Sequence, residues 1–404
     1  MKKSILIVTL ALSGFLFLFL AHKINLPAAD LGRHIKNGEV FLHASEYEIS
    51  RSALLHTNFF SYTYPDFPFI NHHWGSGILA YLTYSTFGWI GLSLAYILLL
   101  IAAFCILFLL ISKKTPLYAS IPLTLFLIPL IAERTEVRPE VLSYLFIAIF
   151  LYILVKFTSN EYCKKYLYIL PVLTTLWVNV HIYAIFSPLL IGAFLFESVL
   201  RKDWGKVKIL LACTALSTLA LLVSPYGLEG ALYPFKIFSN YGYLVAENQS
   251  IPFLKQLNFV NPNFLWWKLS AGIIVFLSGF VLVYNQKNRS GEFPIALFCI
   301  TLAFGFLSFT AIRNLSAFGL VLLPFLGLLL GTLCKKVDTE EKKHNAWAVS
   351  FILSLLIIIF SYVHFNNRLP TNLGWGLGLF PGNVDSATFV EKTKITPEKC
   401  AFAK

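Results

Sequence analysis

Ile90–Ile111 reads IGLSLAYILLLIAAFCILFLLI, 22 consecutive residues without a charged side chain. As an α-helix this run is about 33 Å long at roughly 1.5 Å per residue, enough to cross the hydrocarbon of a bilayer. It ends at Ser112-Lys113-Lys114, and a second apolar run, Leu117–Ala132, follows at once. Two such runs around a short basic turn make the pattern of a membrane hairpin. Working outward, further runs occupy Ser4–Ala21, Val141–Phe157, Leu167–Asn179, Ile182–Leu200, Val207–Val223, Phe264–Tyr284, Phe293–Ile312, Leu315–Leu333 and Trp347–His364. The pair Leu167–Asn179 and Ile182–Leu200 reads either as two helices or as one long kinked segment. The predicted fold class is all-α, a polytopic transmembrane bundle of about eleven helices. Residues 1–364 form the membrane domain and 365–404 a short tail.

Composition agrees. With 57% hydrophobic and 13% charged residues, the chain has too few charges to cover a soluble surface. The net charge of +12 lies mostly in clusters between apolar runs, where it orients helices and does not form a nucleic-acid face. The six cysteines (Cys105, Cys163, Cys213, Cys299, Cys334, Cys400) are scattered without metal-type spacing, so neither a zinc site nor a disulfide framework is expected. The first run follows Lys2 and Lys3 and lacks a convincing cleavage site, so it reads as a retained helix.

The basic clusters set an orientation. Lys113 and Lys114; Lys156, Lys164 and Lys165; Arg201, Lys202, Lys206 and Lys208; Lys287 and Arg289; and Lys335, Lys336, Lys342 and Lys343 fall in alternate turns. The other short turns hold only Arg134, Arg138 and Arg313. The positive-inside rule then predicts an N-in, C-out topology. Two outer loops are long, 23–89 and 224–263. In the first, Leu31–Leu42 puts Leu31, Ile35, Gly38 and Leu42 on one helical face, the pattern of a helix lying along the membrane surface.

Eight of the nine histidines, all but His344, fall on that outer side, as do Asp30, Glu39, Glu133, Glu136, Glu140 and Glu247. Ionisable groups at membrane depth are costly, which marks this side as the place of function. Asp30 reads as a general base or as the N-cap of the surface helix. Phe60-Ser61-Tyr62-Thr63-Tyr64-Pro65 and Ile70-Asn71-His72-His73-Trp74 supply rings for a sugar or lipid, and His72 or His73 suits a phosphate. An interfacial aromatic belt explains the rings equally but not the His pair. Arg134 and Arg138, in Glu133–Glu140, are phosphate forks or a self-paired turn. Trp177-Val178-Asn179-Val180-His181 ends an apolar run, and Asn179 there suits interhelical hydrogen bonding. Ser224-Pro225-Tyr226-Gly227 reads as a turn. Arg313 in Arg313-Asn314 binds phosphate or snorkels. Neither GxxxxGK[ST] nor GxGxxG occurs.

In this order, Asp30-Leu31-Gly32-Arg33-His34, Phe60–Thr63, Asn71–Trp74, Arg138-Pro139-Glu140, Trp177–His181, Ser224–Gly227, Glu247-Asn248-Gln249-Ser250 and Arg313-Asn314 resemble the bacterial membrane proteins related to GT-C glycosyltransferases. The resemblance spans about Ser4 to Pro381. Arg33 and Asn248 depart from the pattern, where an aromatic residue and a tryptophan are expected, and the tail is short for such a protein. The resemblance implies transfer of a sugar from a polyprenyl-phosphate donor to an acceptor glycan, lipid or protein, with inversion, on the non-cytoplasmic face. It implies a catalytic carboxylate at Asp30, with Glu133 second. His34, His72, His73, Arg134, Arg138, His181 and Arg313 are then candidates for holding the substrate. Asp30 and Glu133 are candidate ligands for a divalent metal, though no spacing requires one. Two rivals are a transporter or flippase for a lipid-linked or small anionic substrate, which internal repeats and broken mid-membrane helices would mark, and a non-catalytic membrane scaffold.

Overall fold

The computed structural model describes residues 2–26, 30–61, 63–64, 67, 69–159, 164–236, 245–288, 293–334, 340–365 and 374–380. Tyr62, Pro65, Cys163, Arg289, Lys335, Lys336, Cys400 and the tail segments 366–373 and 381–404 lie outside them. The chain is all-α. Fifteen helices are described: α1 Lys2–Leu20, α2 Leu31–Leu42, α3 Arg51–His56, α4 Trp74–Ser112, α5 Leu117–Ile131, α6 Glu140–Thr158, α7 Ile169–Val178, α8 Phe186–Leu200, α9 Trp204–Ala220, α10 Gly227–Lys236, α11 Ile251–Gln256, α12 Asn263–Asn288, α13 Ile295–Thr310, α14 Leu315–Cys334 and α15 Glu340–Phe365.

Each apolar run of the sequence became a helix, but lengths differ from the reading. Among the described residues, seven segments are long and apolar enough to cross a membrane, as in a multi-pass integral membrane protein. They are those of α1, α4, α6, α8, α12, α14 and α15. The other four, α5, α7, α9 and α13, run 15, 10, 17 and 16 residues. The uncertain pair is two helices. Val178 ends α7, and a 3-10 turn at Ile182–Ile185 leads into α8.

The exterior is what a bilayer requires. Val275, Phe276 and Phe351 are each more than 70% exposed, on helices whose outward faces carry little else but apolar side chains. In water such a surface would drive aggregation. At the centre lies α14, buried on nearly every side from Leu315 to Gly331. An all-round apolar helix of this kind belongs in the middle of a bundle.

The expected loop 23–89 is largely structured. The helix expected at Ile90 starts at Trp74 and kinks at Gly88, whose φ of 64° admits glycine readily. Thr83 and Thr86 return their hydroxyls to the Leu79 and Leu82 carbonyls, so the polar residues that made this stretch read as a loop are satisfied within the helix. The surface helix appears with the expected bounds, but it is not merely laid on a membrane. It packs on α4, with Leu31, His34, Ile35, Asn37, Gly38 and Val40 buried. Leu42, expected on that face, is 36% exposed. Gly38 makes the approach possible: a Cβ there would lie 2.1 Å from the Gly77 carbonyl oxygen.

Part of the tail joins the same end of the bundle. His22 pairs with Trp375 and Ile24 with Leu379 as isolated bridges, and the Gly378 N–H donates to Ser93 Oγ at 3.2 Å.

Candidate functional site

The starts of α2, α4 and α6, the turn before α8, α10 and the break between α13 and α14 surround a cavity of about 430 Å3. Of the nine candidates read from sequence, Asp30, His34, His72, His73, Arg138 and Arg313 line it. Arg134 and His181 stand directly behind that lining. Glu133 does not join it. Its carboxylate oxygens accept from Asn261 Nδ2 at 2.7 Å and from Asn263 Nδ2 at 2.5 Å.

Two carboxylates fix the arginines. Glu140, with a side chain only 3% exposed, takes Arg134 Nη2 at 3.2 Å and Arg313 Nη2 at 2.8 Å on one oxygen. Glu247 takes Arg134 Nη1 at 2.9 Å and Arg138 Nη1 at 3.1 Å on its two oxygens. Burial alone would raise the Glu247 carboxyl, but the charges of Arg134, Arg138 and Arg313 hold it below the usual range. The segment carrying Glu247 is itself docked. Ile312 N–H donates to the Gln249 carbonyl at 3.2 Å, and Arg313 Nη1 to Asn248 Oδ1 at 3.1 Å. Removing either carboxylate would leave buried guanidinium charge without its partner, a strongly destabilising change.

Four histidines form the adjoining wall. The His73 ring touches three others, with centroids 5.4 Å from His34, 3.9 Å from His72 and 5.1 Å from His181, the last stacked at 13°. Burial lowers His34 and His72 to about 4, and His73 also lies well below the ordinary histidine range. The wall is therefore neutral at physiological pH. Trp177 Nε1 donates to Ser143 Oγ at 2.8 Å, and Ser143 Oγ meets His181 Nδ1 at 2.7 Å. The Tyr183 N–H also points at Nδ1, which makes Nδ1 the acceptor and places the ring proton on Nε2. That Nε2 and His73 Nδ1 are buried without a hydrogen-bond partner among the described residues.

Asp30 occupies the N-cap position of α2 but does not cap it. Its backbone is left-handed, φ 51° and ψ 19°, and its side chain makes no cap hydrogen bond. The capping reading thus loses its interaction, and a carboxylate is left at the mouth of the cavity. Sequence reasoning placed Glu140 and Glu247 on the right side but omitted them and Arg33 from the site. Their signal was the cost of burying arginine, which demands nearby carboxylates. Asn179 behaves as read: its Nδ2 donates to Thr175 O and Val223 O, and its Oδ1 accepts from Trp74 Nε1. Tyr226 ties the same end together, donating to Leu55 O and accepting from Asn71 N–H, each at 2.9 Å.

Among the described residues, no group of three or more His, Cys, Asp or Glu side chains is arranged to hold a metal ion, and Asp30 and Glu133 do not share a site. No family model, curated protein or solved structure matches the chain.

The remaining lining decides the chemistry available. Ile182, Ile185, Phe186, Phe235 and Leu307 give the cavity an apolar side against its charged one. Arg33, Arg138 and Arg313 balance Asp30, Glu140 and Glu247 in formal charge. Such a space suits an amphiphile with a polar head, and an anionic head must compete with Glu140 and Glu247 for guanidinium donors.

Proposed function

We propose that the chain is a membrane glycosyltransferase that moves a sugar from a polyprenyl-phosphate donor to an acceptor hydroxyl. The observation that carries this reading is the half-charged, half-apolar cavity holding Asp30, Arg138, Arg313 and the neutral histidines. The charge asymmetry of the turns supports a non-cytoplasmic position for it. In this reading the prenyl chain lies along Ile182, Phe186 and Leu307, and the phosphate oxygens accept from Arg138 and Arg313. Asp30 takes the proton of the acceptor hydroxyl, whose oxygen attacks the anomeric carbon. The bond from that carbon to the phosphate oxygen breaks, and polyprenyl phosphate leaves with the electron pair. The sugar is inverted in this single displacement.

The test is acceptor-dependent release of polyprenyl phosphate by the reconstituted protein, across a panel of polyprenyl-phosphate sugars and sugar or lipid acceptors. Release that stops on Arg313→Gln supports the reading. Donor binding without release, coupled to movement of the donor between leaflets, would make the protein a transporter. No binding of any donor would leave only a scaffold.

A further inference from the structure

Among the described residues lining the Asp30 cavity, four are exposed, and they are of two kinds. Asp30 and Arg33, at the start of α2, are charged. Phe235 on α10 and Thr310 at the end of α13 carry no charge, and Phe235 is 74% exposed while still lining the cavity. The surface outside this second pair is apolar as well. Phe306, next to the lining residue Leu307, and Leu189, one turn beyond the lining residue Phe186, are both exposed.

The form of α10 says what this surface meets. None of its ten residues is buried. At roughly 100° per residue, Leu228, Leu232 and Phe235 share one narrow arc of the helix, and all three are exposed. Glu229 and Lys236 stand beside that arc. Gly230, Ala231 and Pro234 face the bundle, where they line a small hollow with Trp74 and Leu221. Tyr233 reaches inward to His72, with ring centroids 5.0 Å apart. A short helix with a bare apolar arc flanked by charges is the form that lies in a membrane interface. The preceding chain supplies the cover: Leu219, Leu222 and Val223 are exposed at the end of α9, and only Ser224-Pro225-Tyr226 separates them from α10. The apolar exterior of the bundle thus continues onto α10.

We infer that α10 lies in the bilayer interface at the Asp30 end of the bundle, and that the cavity opens sideways into that leaflet between Phe235 and Thr310. The ligand admitted there is a membrane lipid, whose chain passes between these two residues while its head occupies the charged side. This deepens the proposed function and rests on it for the identity of the lipid. A polyprenyl-phosphate donor would enter, and polyprenyl phosphate leave, without crossing water.

The experiment uses full-length protein in liposomes of phosphatidylcholine and phosphatidylglycerol containing polyprenyl phosphate. Spin labels at Leu228→Cys and Leu232→Cys should be relaxed more by oxygen than by a water-soluble nickel chelate, and a label at Glu229→Cys the reverse. Water exposure at both leucine positions overturns the proposal. The photo-crosslinker benzoylphenylalanine, placed at Phe186 inside the cavity, should capture polyprenyl phosphate, detected by mass spectrometry. Leu307→Trp narrows the opening and should abolish that capture, while capture of lipid by the same crosslinker at Leu189 on the outer surface persists. Thr310→Trp, at an exposed position, repeats the test should Leu307→Trp fail to accumulate. Capture of phosphatidylglycerol but not polyprenyl phosphate at Phe186, with the same sensitivity to tryptophan, upholds the opening and sinks the polyprenyl-phosphate donor. Capture at Phe186 indifferent to both tryptophans, or no lipid captured there, overturns the opening.

Discussion

Arg313 Nη2 donates to Glu140 Oε1 at 2.8 Å across 173 positions of sequence, and through that oxygen it is coupled to Arg134 as well. The carboxylate is the keystone of the site, because two guanidiniums depend on it in a place with little water. Glu140→Gln should therefore cost about 3–5 kcal/mol, the usual effect of breaking a buried ion pair from one side. Thermal unfolding of the purified protein in detergent measures this. A melting temperature equal to that of the unaltered protein would mean that the arginines find other partners.

The second expectation concerns the seating of α2. A Cβ at Gly38 meets the Gly77 carbonyl oxygen at 2.1 Å, whereas a Cβ at Gly77 meets the His34 carbonyl oxygen at 2.8 Å. Both neighbours are backbone and cannot rotate away. Gly38→Ala should destabilise by about 1–3 kcal/mol, and Gly77→Ala by less. Because α2 carries Asp30 and His34, donor binding should weaken in the same order. Reversed melting temperatures of the two variants would refute this packing.

Acid should loosen the histidine wall. His34 and His72 titrate near 4 when folded against 6.5 ordinarily, because burial disfavours the imidazolium. Between these values the unfolded chain binds more protons than the folded one, so stability falls as pH drops from above 6.5 toward 4. Below both values the effect is complete. Melting temperatures recorded across this window should decline, and His72→Gln should flatten the decline. An identical slope in that variant would assign the acid sensitivity to other groups.

Much of this was legible in sequence, for reasons visible residue by residue. Ile90–Ile111 announced a membrane helix because 22 uncharged residues in a row admit few other structures. Leu31–Leu42 was found to the residue because its apolar spacing is helical. The start of α4 at Trp74 was missed, since Thr83, Ser85 and Thr86 read as loop residues until their hydroxyls are seen returning to the helix. Spanning length was overestimated for α7, where Asn179 and His181 turn inward to tertiary partners. That Asp30, His72 and Arg138 line one cavity agrees with the expense of isolated polar groups in a membrane. Which carboxylates would hold the arginines did not follow, because Glu133 and Glu136 are nearer to Arg134 in sequence than Glu140 is, and only packing gives Glu140 the part.

Orientation can be read directly. Lys113 follows α4 and Asp203 precedes α9 at one end of the bundle, while Tyr226 binds Asn71 beside the Asp30 cavity at the other. A membrane-impermeant thiol reagent applied to intact cells should label Glu46→Cys and Glu229→Cys but not Lys113→Cys or Lys202→Cys. Labelling of the lysine positions instead would invert the topology and put the Asp30 cavity in the cytoplasm.

The role of Asp30 is open to a clean test because the structure removes its competing explanation. An N-cap aspartate has extended backbone and accepts an N–H from the first turn, contributing about 1 kcal/mol. Asp30 does neither, with φ at 51° and no cap hydrogen bond. Asparagine tolerates the left-handed conformation at least as well and is nearly isosteric, so Asp30→Asn should insert, accumulate and melt like the unaltered protein. It cannot accept the acceptor's proton. Transfer from a polyprenyl-phosphate sugar should thus fall by about a hundred-fold to ten-thousand-fold, while donor affinity stays within a few-fold. Near-normal transfer by the purified variant would remove Asp30 from the chemistry. The search would then turn to Glu247, which lines the same cavity, before Glu133, which does not.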